Sequence, residues 1–590
     1  MTSSLLTCIH TLFSMKYLLL FSLCAAVVQA LASSPTFAAT TPPIVYTIAG
    51  SDSGGGAGIQ ADLHAIRSFG CHGCSAITCL TAQNSCGVTE VHAPPAAFLT
   101  KQLQTLDSDL PPRAIKIGML GTKELAETVG DFLEQLQSRD DKPWVVVDPV
   151  MISTSGHKLI DDEATAAMIQ RVFPFADVLT PNKYEAEALL GRELKTPADV
   201  EEGAKELLEM GVKSVLIKGG HSLMEKQEED LIAPDDVSAT LGYAQDYFLS
   251  SLPSPEEPRL CDGGVWIRTD RYDSAHTHGT GCTLSSAIAS ALALGHQQRS
   301  SSHRQGATSA MQPLDACCLG KAYVTTGIAR GVGLGQGPGP VAQTEFPSSY
   351  QHYPRIAWNP TLRTSDIKSF RPMKPYGSSV SSDEPVLGRI LPIVDTVDWV
   401  ERLTKTPGIT DIQLRIKDES DPTKILERVQ HCQNLCASAD IRLWINDYWE
   451  AAVTAGCFGV HVGQEDLLKC MQAGGLERLH EANMAFGIST HSYGELAAAL
   501  AVKPSYISMG PIFGTTSKKV AFDPQGLDIC RKWRQLVPDG MPFVAIGGIN
   551  DAEIAKLVKE AGADCVAVIG AITKAEHIET AAADLNEAMS

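Results

Sequence analysis

The chain of 590 residues has no basic excess: 48 Lys and Arg stand against 68 Asp and Glu, a formal net charge of −20. A general nucleic-acid binder needs a basic face to displace counterions, so that class is excluded. Aromatic residues make up only 6%, too few to suggest a stacking platform for single strands. Beyond the N-terminal region no apolar run is long enough to span a bilayer. The 16 cysteines are scattered, unlike those of a small disulfide scaffold. Cys71-His-Gly-Cys74 is the one C-x-x-C pair, and no second pair follows at zinc-site spacing. Buried thiols in a reducing compartment are the simpler reading.

What is present is a globular composition, 44% hydrophobic and 20% charged, which supports packed cores and excludes global disorder. The length suits two large α/β domains. At the N-terminus, Met15-Lys16 precedes the apolar run Tyr17 to Val28, and small residues follow at Ala30 and Ala32. That is the layout of a signal peptide. Ala32 to Pro43 is then rich in Ala, Ser and Thr without an acidic residue, as in a transit peptide. Residues 1–43 therefore read as a bipartite presequence directed to a plastid, with secretion or the cytosol as alternatives. No membrane is expected for the mature form, and assembly into a homo-oligomer is compatible with the sequence.

Short apolar strands alternate with helical patterns from Ile44 to about Gly339: Ile44–Gly50, Val145–Val147, Val178–Leu179 and Val215–Ile217, with a helix over Val200–Met210. This predicts a mostly parallel α/β sheet. Leu223–Asp262, acidic and rich in Pro and Ser, and Gln297–Gln312 read as inserted surface loops. Residues 341–386 read as a linker. From residue 387 eight strand candidates recur, at Ile390, Asp411, Ile441, Gly459, Ala485, Tyr506, Phe543 and Cys565, each but the last with a clear helix after it. That is the repeat of a (β/α)8 barrel, whose chemistry sits just after the strand ends.

In the first half, Gly50-Ser-Asp-Ser-Gly-Gly-Gly-Ala-Gly58 leaves a strand and enters a helix. Its glycines permit close ligand approach or merely a turn. No Gly-Lys-Ser/Thr follows, so it is not a Walker A loop. His278-Gly-Thr-Gly-Cys-Thr283 opens an Ala- and Leu-rich helix, where N–H groups can stabilise a phosphoryl group in transfer. Cys282 falls in the first turn, where the same field lowers a thiol pKa; an inert buried Cys is the alternative.

These motifs, with Ala82-Gln-Asn84, Lys116-Ile-Gly-Met-Leu120, Asp148-Pro-Val-Met151, Thr180-Pro-Asn182 and Lys218-Gly-Gly-His221, resemble hydroxymethylpyrimidine/phosphomethylpyrimidine kinases over residues 44–340. The resemblance implies a ribokinase-like three-layer α/β/α fold and MgATP as phosphoryl donor. It implies that Gln83 and Asp62 hydrogen-bond the aminopyrimidine while Met119 and Val150 pack on it. Asn182 and Glu185 would organise Mg2+ and phosphates, and Lys218 would meet the nucleotide. Gly279, Thr280, Gly281 and Cys282 would form the anion hole, with Cys282 taking the hydroxymethyl proton. His276 stands where the family usually has Asn.

In the second half, Gln413-Leu-Arg415-Ile-Lys417 ends a strand with three polar residues on one face. Two cations and an amide suit a pyrophosphate. Asn446-Asp447 and Gln464-Glu-Asp466 end the next two strands, and carboxylates facing that basic cluster suggest bridging Mg2+. Ser489 follows, then Gly510-Pro-Ile-Phe-Gly-Thr-Thr-Ser-Lys518, Gly547-Gly548 and Ile569-Gly570. The order resembles thiamine-phosphate synthases over residues 387–590, with a TIM-barrel fold. The resemblance implies that Gln413, Arg415, Lys417, Asn446, Ser489 and Lys518 bind a pyrimidine pyrophosphate, and that Asp447 and Asp466 hold Mg2+. Thr515, Thr516, Ser517, Gly548, Ile569 and Gly570 would take a thiazole phosphate. Gly514 replaces the family's usual Pro, Ser517 replaces Thr, and Gly570 stands where Ser is common.

Taken together, the expectation is a bifunctional enzyme of thiamine biosynthesis with small-molecule substrates. A pyridoxal-type kinase, or one half serving as an inactive precursor-binding module, are the alternatives.

Overall fold

The computed structural model describes residues 41–151, 160–219, 242–252, 264–301, 311–362, 366–378, 384–515 and 523–590. The presequence reading of residues 1–43 falls almost wholly outside them. Among the described residues no helix is long and apolar enough to cross a membrane.

The first half is built on a ten-stranded sheet in the order β10-β9-β8-β7-β6-β5-β4-β1-β2-β3. The strands are β1 (Ile44–Asp52), β2 (His72–Asn84), β3 (Gly87–His92), β4 (Ala114–Ile117), β5 (Trp144–Val147), β6 (Val178–Leu179), β7 (Ser214–Ile217), β8 (Tyr243–Ser250), β9 (Val265–Asp270) and β10 (Arg355–Ala357). Strands β2, β1, β4, β5, β6 and β7 run parallel, and antiparallel strands extend both edges. Alternation sends Val45 to one core and Tyr46 and Ile48 to the other, so helices cover both faces. One layer holds helices Gly58–Ser68, Thr280–Ser301 and Pro313–Ala329; the other holds Ala96–Asp107, Lys123–Leu136 and Pro197–Glu209.

Two stretches depart from expectation. The apolar, aromatic run Tyr243–Ser250 lies inside the acidic segment read as an inserted loop, yet it is β8, paired on both sides. Its Asp246 is buried and bonded to Lys321 Nζ at 2.9 Å. Within the segment read as linker, Arg355–Ala357 adds the edge strand β10, and Tyr353, Phe370 and Met373 are buried. The segment read as a second inserted loop begins inside the helix Thr280–Ser301.

The second half is a closed barrel of eight parallel strands. They are β11 (Ile390–Val394), β12 (Asp411–Leu414), β13 (Arg442–Asn446), β14 (Gly459–Val462), β15 (Ala485–Thr490), β16 (Tyr506–Met509), β17 (Phe543–Ile546) and β18 (Cys565–Val568). Even the last is followed by helices, Gly570–Thr573 and Ile578–Ala588. At the strand-start end Asp411 is fully buried and accepts from Arg442, Trp444 Nε1, Thr410 and the Gly388 amide, which pins the barrel floor away from its catalytic mouth.

Pro43 to Ser590 forms one compact unit, and the halves share a hydrophobic core. All nine residues of the barrel helix Tyr493–Ala501 are buried, because helix Pro313–Ala329 and β10 of the first half pack on its outer side. Gly494 lies against Leu314, with no room for a side chain. Its amide donates to buried Asp315 at 2.7 Å, and Tyr353 OH donates to the Tyr493 carbonyl at 2.8 Å. Phe370 stacks between His480 and Phe486.

Candidate active sites

The first site gathers at the ends of the parallel strands, where α/β sheets hold their ligands. Asp148 follows β5, Thr180 to Asn182 follow β6, and Lys218 follows β7. Lys218 Nζ donates to Asp148 Oδ1 at 2.8 Å and lies 3.9 Å from Glu185 Oε2. A Cβ built on Gly281, in the first turn of Thr280–Ser301, would stand 3.2 Å from Lys218 Nζ and 3.3 Å from Asp148 Oδ2. The cation thus sits beside the first turn of the helix. Burial tends to lower the Lys218 pKa, but Asp148 and Glu185 outweigh it and hold the ammonium charged.

Asn182 and Glu185 are brought together as a reciprocal cap. Glu185 N donates to Asn182 Oδ1 at 2.9 Å, and Asn182 N to Glu185 Oε2 at 2.7 Å. Burial pushes Glu185 up to about 7, with Lys218 pulling the other way. Met119, after β4, is buried beside Gly50, and Val150 is half-buried after β5. His276 is enclosed by Gly331 and Gly339.

Asp62 is the exception. It is fully buried, and both oxygens are engaged by Lys116 Nζ, at 2.9 and 2.8 Å, by Thr47 Oγ1 at 2.6 Å and by Ser286 Oγ at 2.8 Å. It faces inward from the first helix and ties β1, β4 and Thr280–Ser301 together. Removing one partner of such a pair costs about 3–5 kcal/mol, a structural role.

Cys282 retains partial solvent access, but its thiol pKa is not lowered as the helix position suggested. Burial pushes it up to about 11, with Lys116 pulling down and Asp62 and Asp148 adding to the rise. At neutral pH it is a thiol. Iodoacetamide labelling of Cys282, followed by peptide mapping to separate it from exposed Cys86, is therefore expected to quicken about tenfold per pH unit from pH 8 to 10. A plateau below pH 8 would contradict this.

Two residues that no role had been given occupy the same site, Asp52 and His278, and a third, Lys116, is the buried partner of Asp62. All lie within the quoted motifs, but only their contacts reveal them. Asp52 accepts from Gly54 N at 2.7 Å, Gly56 N at 3.1 Å, Ala57 N at 2.9 Å and His278 Nε2 at 3.2 Å. Gly279 has φ +79°, and a Cβ there would lie 1.9 Å from the Gly56 carbonyl oxygen. Only glycine lets the two glycine-rich turns interlock.

The barrel mouth forms the second site. Gln413 is buried in β12 and donates to Asn446 Oδ1 at 2.9 Å. Arg415 is half-buried and Lys417 exposed just past the strand end, a line of polar groups rising to the rim. Neither makes an ion pair with another described residue. Asn446 Nδ2 donates to the Asp447 carboxylate, and Asp447 has φ +69°. Asp466, in the first turn after β14, pairs with Lys469 at 3.0 Å, and Asp447 adds to the field that raises the Lys469 pKa. No cluster of three or more His, Cys, Asp or Glu suited to a metal occurs among the described residues. Two carboxylates suit Mg2+, which takes its remaining oxygens from water and substrate phosphate.

Ser489 joins a buried chain that sequence reasoning missed. Its Oγ lies 2.8 Å from His461 Nε2, whose Nδ1 lies 2.7 Å from Tyr506 OH. His461 stands on β14, one strand from Ser489, and its inward alternation was the available signal. Gln464 donates to the Ser489 carbonyl at 2.8 Å. Gly547 and Gly548, at φ +100° and +70°, turn successive amides after β17, and a Cβ on Gly548 would strike Phe513. Thr515, half-buried, follows β16, and Ile569 and Gly570 follow β18. Thr516, Ser517 and Lys518 lie outside the described residues.

A family model described as phosphomethylpyrimidine kinase matches residues 52–245 and 259–342. One described as thiamine monophosphate synthase matches residues 386–572. The Arabidopsis thaliana thiamine biosynthetic bifunctional enzyme, chloroplastic, is 32% identical over 559 residues, covering 93% of each chain. A probable thiamine biosynthetic bifunctional enzyme, chloroplastic, of Oryza sativa subsp. japonica is 32% identical over 529 residues, 88% of this chain and 84% of its own. The Haemophilus influenzae hydroxymethylpyrimidine/phosphomethylpyrimidine kinase is 39% identical over 299 residues, 50% of this chain and 94% of its own.

Proposed function

The chain belongs to the bifunctional enzymes of thiamine biosynthesis, with a hydroxymethylpyrimidine/phosphomethylpyrimidine kinase half and a thiamine-phosphate synthase half, and from that premise we propose how its residues divide the chemistry. The kinase half, residues 44–340, phosphorylates 4-amino-5-hydroxymethyl-2-methylpyrimidine and then its monophosphate, each time from ATP. The observation that carries this is the placement of Lys218 against Gly281: a cation and a helix start meet where a transferring phosphoryl group needs both. Asn182 and Glu185, bonded to each other, present oxygens to hydrated Mg2+, which supplies charge neutralisation of the phosphates. Phosphoryl transfer asks mainly for positioning and electrostatic stabilisation. Cys282, a thiol at rest, has to give up its own proton before it can take that of the hydroxymethyl group as the new P–O bond forms.

Gly279→Ala is expected to lower kinase kcat/KM by roughly a hundredfold, since it displaces the amides that stabilise the phosphoryl group. Synthase turnover of added pyrimidine pyrophosphate should be unchanged. Kinase activity within a few-fold of wild type would contradict the anion-hole assignment.

The synthase half, residues 387–590, joins the pyrimidine pyrophosphate to 4-methyl-5-(2-phosphoethyl)thiazole. The C–O bond to pyrophosphate breaks, its electron pair leaves with pyrophosphate, and the thiazole nitrogen bonds to the pyrimidine methylene, giving thiamine monophosphate. Gln413, Arg415, Lys417, Asn446, Ser489 and Lys518 hold the leaving group, and Asp447 and Asp466 hold Mg2+, which neutralises part of its charge. Thr515, Thr516, Ser517, Gly548, Ile569 and Gly570 hold the thiazole phosphate. The plant relatives carry chloroplastic names, which supports delivery to a plastid by residues 1–43; a fluorescent protein fused behind that segment tests it.

A further inference from the structure

The contacts around Asp52 fix more than a loop. Asp52 is buried and joins three elements: the glycine-rich turn through Gly54, Gly56 and Ala57, the strand end before Gln83 through its pairing with Thr81, and the helix start that carries His278. Ser53 reinforces the second link, since Ser53 Oγ donates to the Gln83 carbonyl at 2.7 Å and accepts from Gln83 N at 2.8 Å. Gly56 lies flat against the His278 ring, and a Cβ there would stand 2.5 Å from its Cδ2.

His278 Nε2 faces two groups at once, Asp52 Oδ2 at 3.2 Å and the Gln83 side-chain amide at 3.4 Å. One ring nitrogen cannot both donate to a carboxylate and accept from an amide N–H. The imbalance is decided by charge. Although burial favours the protonated acid, the His278 and backbone hydrogen bonds prevail and hold the Asp52 carboxyl below its ordinary range. An ionised carboxylate only accepts, so His278 Nε2 must carry its hydrogen.

The Gln83 atom turned toward His278 is then its oxygen, the two ends of an amide being interchangeable by hydrogen-bond logic. The NH2 group faces Thr81 Oγ1, 3.2 Å away, whose own hydrogen goes to the Ser51 carbonyl at 2.9 Å. Every donor in this chain then meets an acceptor. Gln83 keeps one N–H and one oxygen lone pair for a ligand. That pair matches the 4-amino group and the adjacent ring nitrogen of an aminopyrimidine, one donor beside one acceptor.

We propose that Asp52 is a positioning residue for the pyrimidine: it holds His278 as an Nε2–H donor and thereby fixes which way the Gln83 amide presents its donor and acceptor to the substrate. The proposal rests on the reading of the first half as a pyrimidine kinase. It gives Asp52 a role in pyrimidine recognition, exerted through its neighbours.

The test uses the full chain with hydroxymethylpyrimidine and ATP varied separately. Asp52→Asn is expected to raise KM for the pyrimidine by about tenfold or more, with KM for ATP changed by less than about twofold. Thr81→Val, which removes the acceptor of the Gln83 NH2 group but keeps its shape, should raise the same KM by about threefold to tenfold. Histidine-selective 15N NMR should find His278 Nε2 protonated in the wild-type chain. Barrel turnover of supplied pyrimidine pyrophosphate reports that each variant is folded. An unprotonated Nε2 in the wild type, or variants that raise both KM values alike, would overturn the proposal. A wild-type chain that does not turn over hydroxymethylpyrimidine at all would overturn the kinase reading and the substrate match with it, whatever the ring state.

Discussion

Asp447→Asn is expected to stop thiamine monophosphate formation and make the pyrimidine pyrophosphate accumulate, with kinase turnover intact. Asp447 leaves β13 at φ +69°, a conformation that Asp and Asn tolerate and most side chains do not. Asn is therefore the informative replacement: it keeps the backbone and removes the charge. Arg415 and Lys417 follow the strand before that of Asp447, β12, and Asp466 follows the strand after it, β14. On the proposed site, losing the Asp447 charge leaves Asp466 alone to hold the Mg2+ that would neutralise a departing pyrophosphate. The expected loss in synthase kcat/KM is on the order of a hundredfold or more. Quantifying the pyrimidine pyrophosphate and thiamine monophosphate by mass spectrometry checks it; near-normal product would remove Asp447 from the metal site.

The second large effect concerns stability. The helix Tyr493–Ala501 has no exposed residue, and 14 of the 17 residues of Pro313–Ala329 are buried. A barrel expressed alone would uncover the face of this helix that Gly494 presents to Leu314, at about 25 cal/mol for each Å² of apolar surface exposed. Residues 387–590 by themselves are thus expected to aggregate or to melt at least about 10 °C below the full chain. Within the full chain Asp315→Ala strands the buried amide of Gly494 and the half-buried amide of Gln312, at a cost of about 2–4 kcal/mol. On heating that variant, kinase and synthase activities should decay earlier than in wild type and at the same rate. A stable, active isolated barrel, or activities that decay separately, would contradict a common core.

The seam was hidden for a physical reason. A stretch such as Tyr-Gly-Glu-Leu-Ala-Ala-Ala-Leu-Ala reads as a helix, and its apolar circumference does say that it is covered on all sides. Nothing in one sequence says by what. The barrel was legible because eight short apolar strands recur at even spacing and end in polar residues. The kinase sheet was legible in its parallel centre and obscure at its edge: β8 lies within an acidic, Pro-rich stretch, and β10 is three residues long. Asp62 and Cys282 show what motif position leaves open. Motif position reports that a residue lies near a site. Burial and neighbours decide whether it faces a substrate or Lys116, and whether a thiol at a helix start ionises.

The most direct measurement supplies the purified full chain with hydroxymethylpyrimidine, thiazole phosphate and MgATP and looks for thiamine monophosphate by mass spectrometry. Product from the wild-type chain is the predicted result, with pyrimidine pyrophosphate as the intermediate that Asp447→Asn traps. No product from hydroxymethylpyrimidine, but product when the pyrimidine pyrophosphate is added directly, would contradict the kinase assignment and with it the claim that one chain carries both steps.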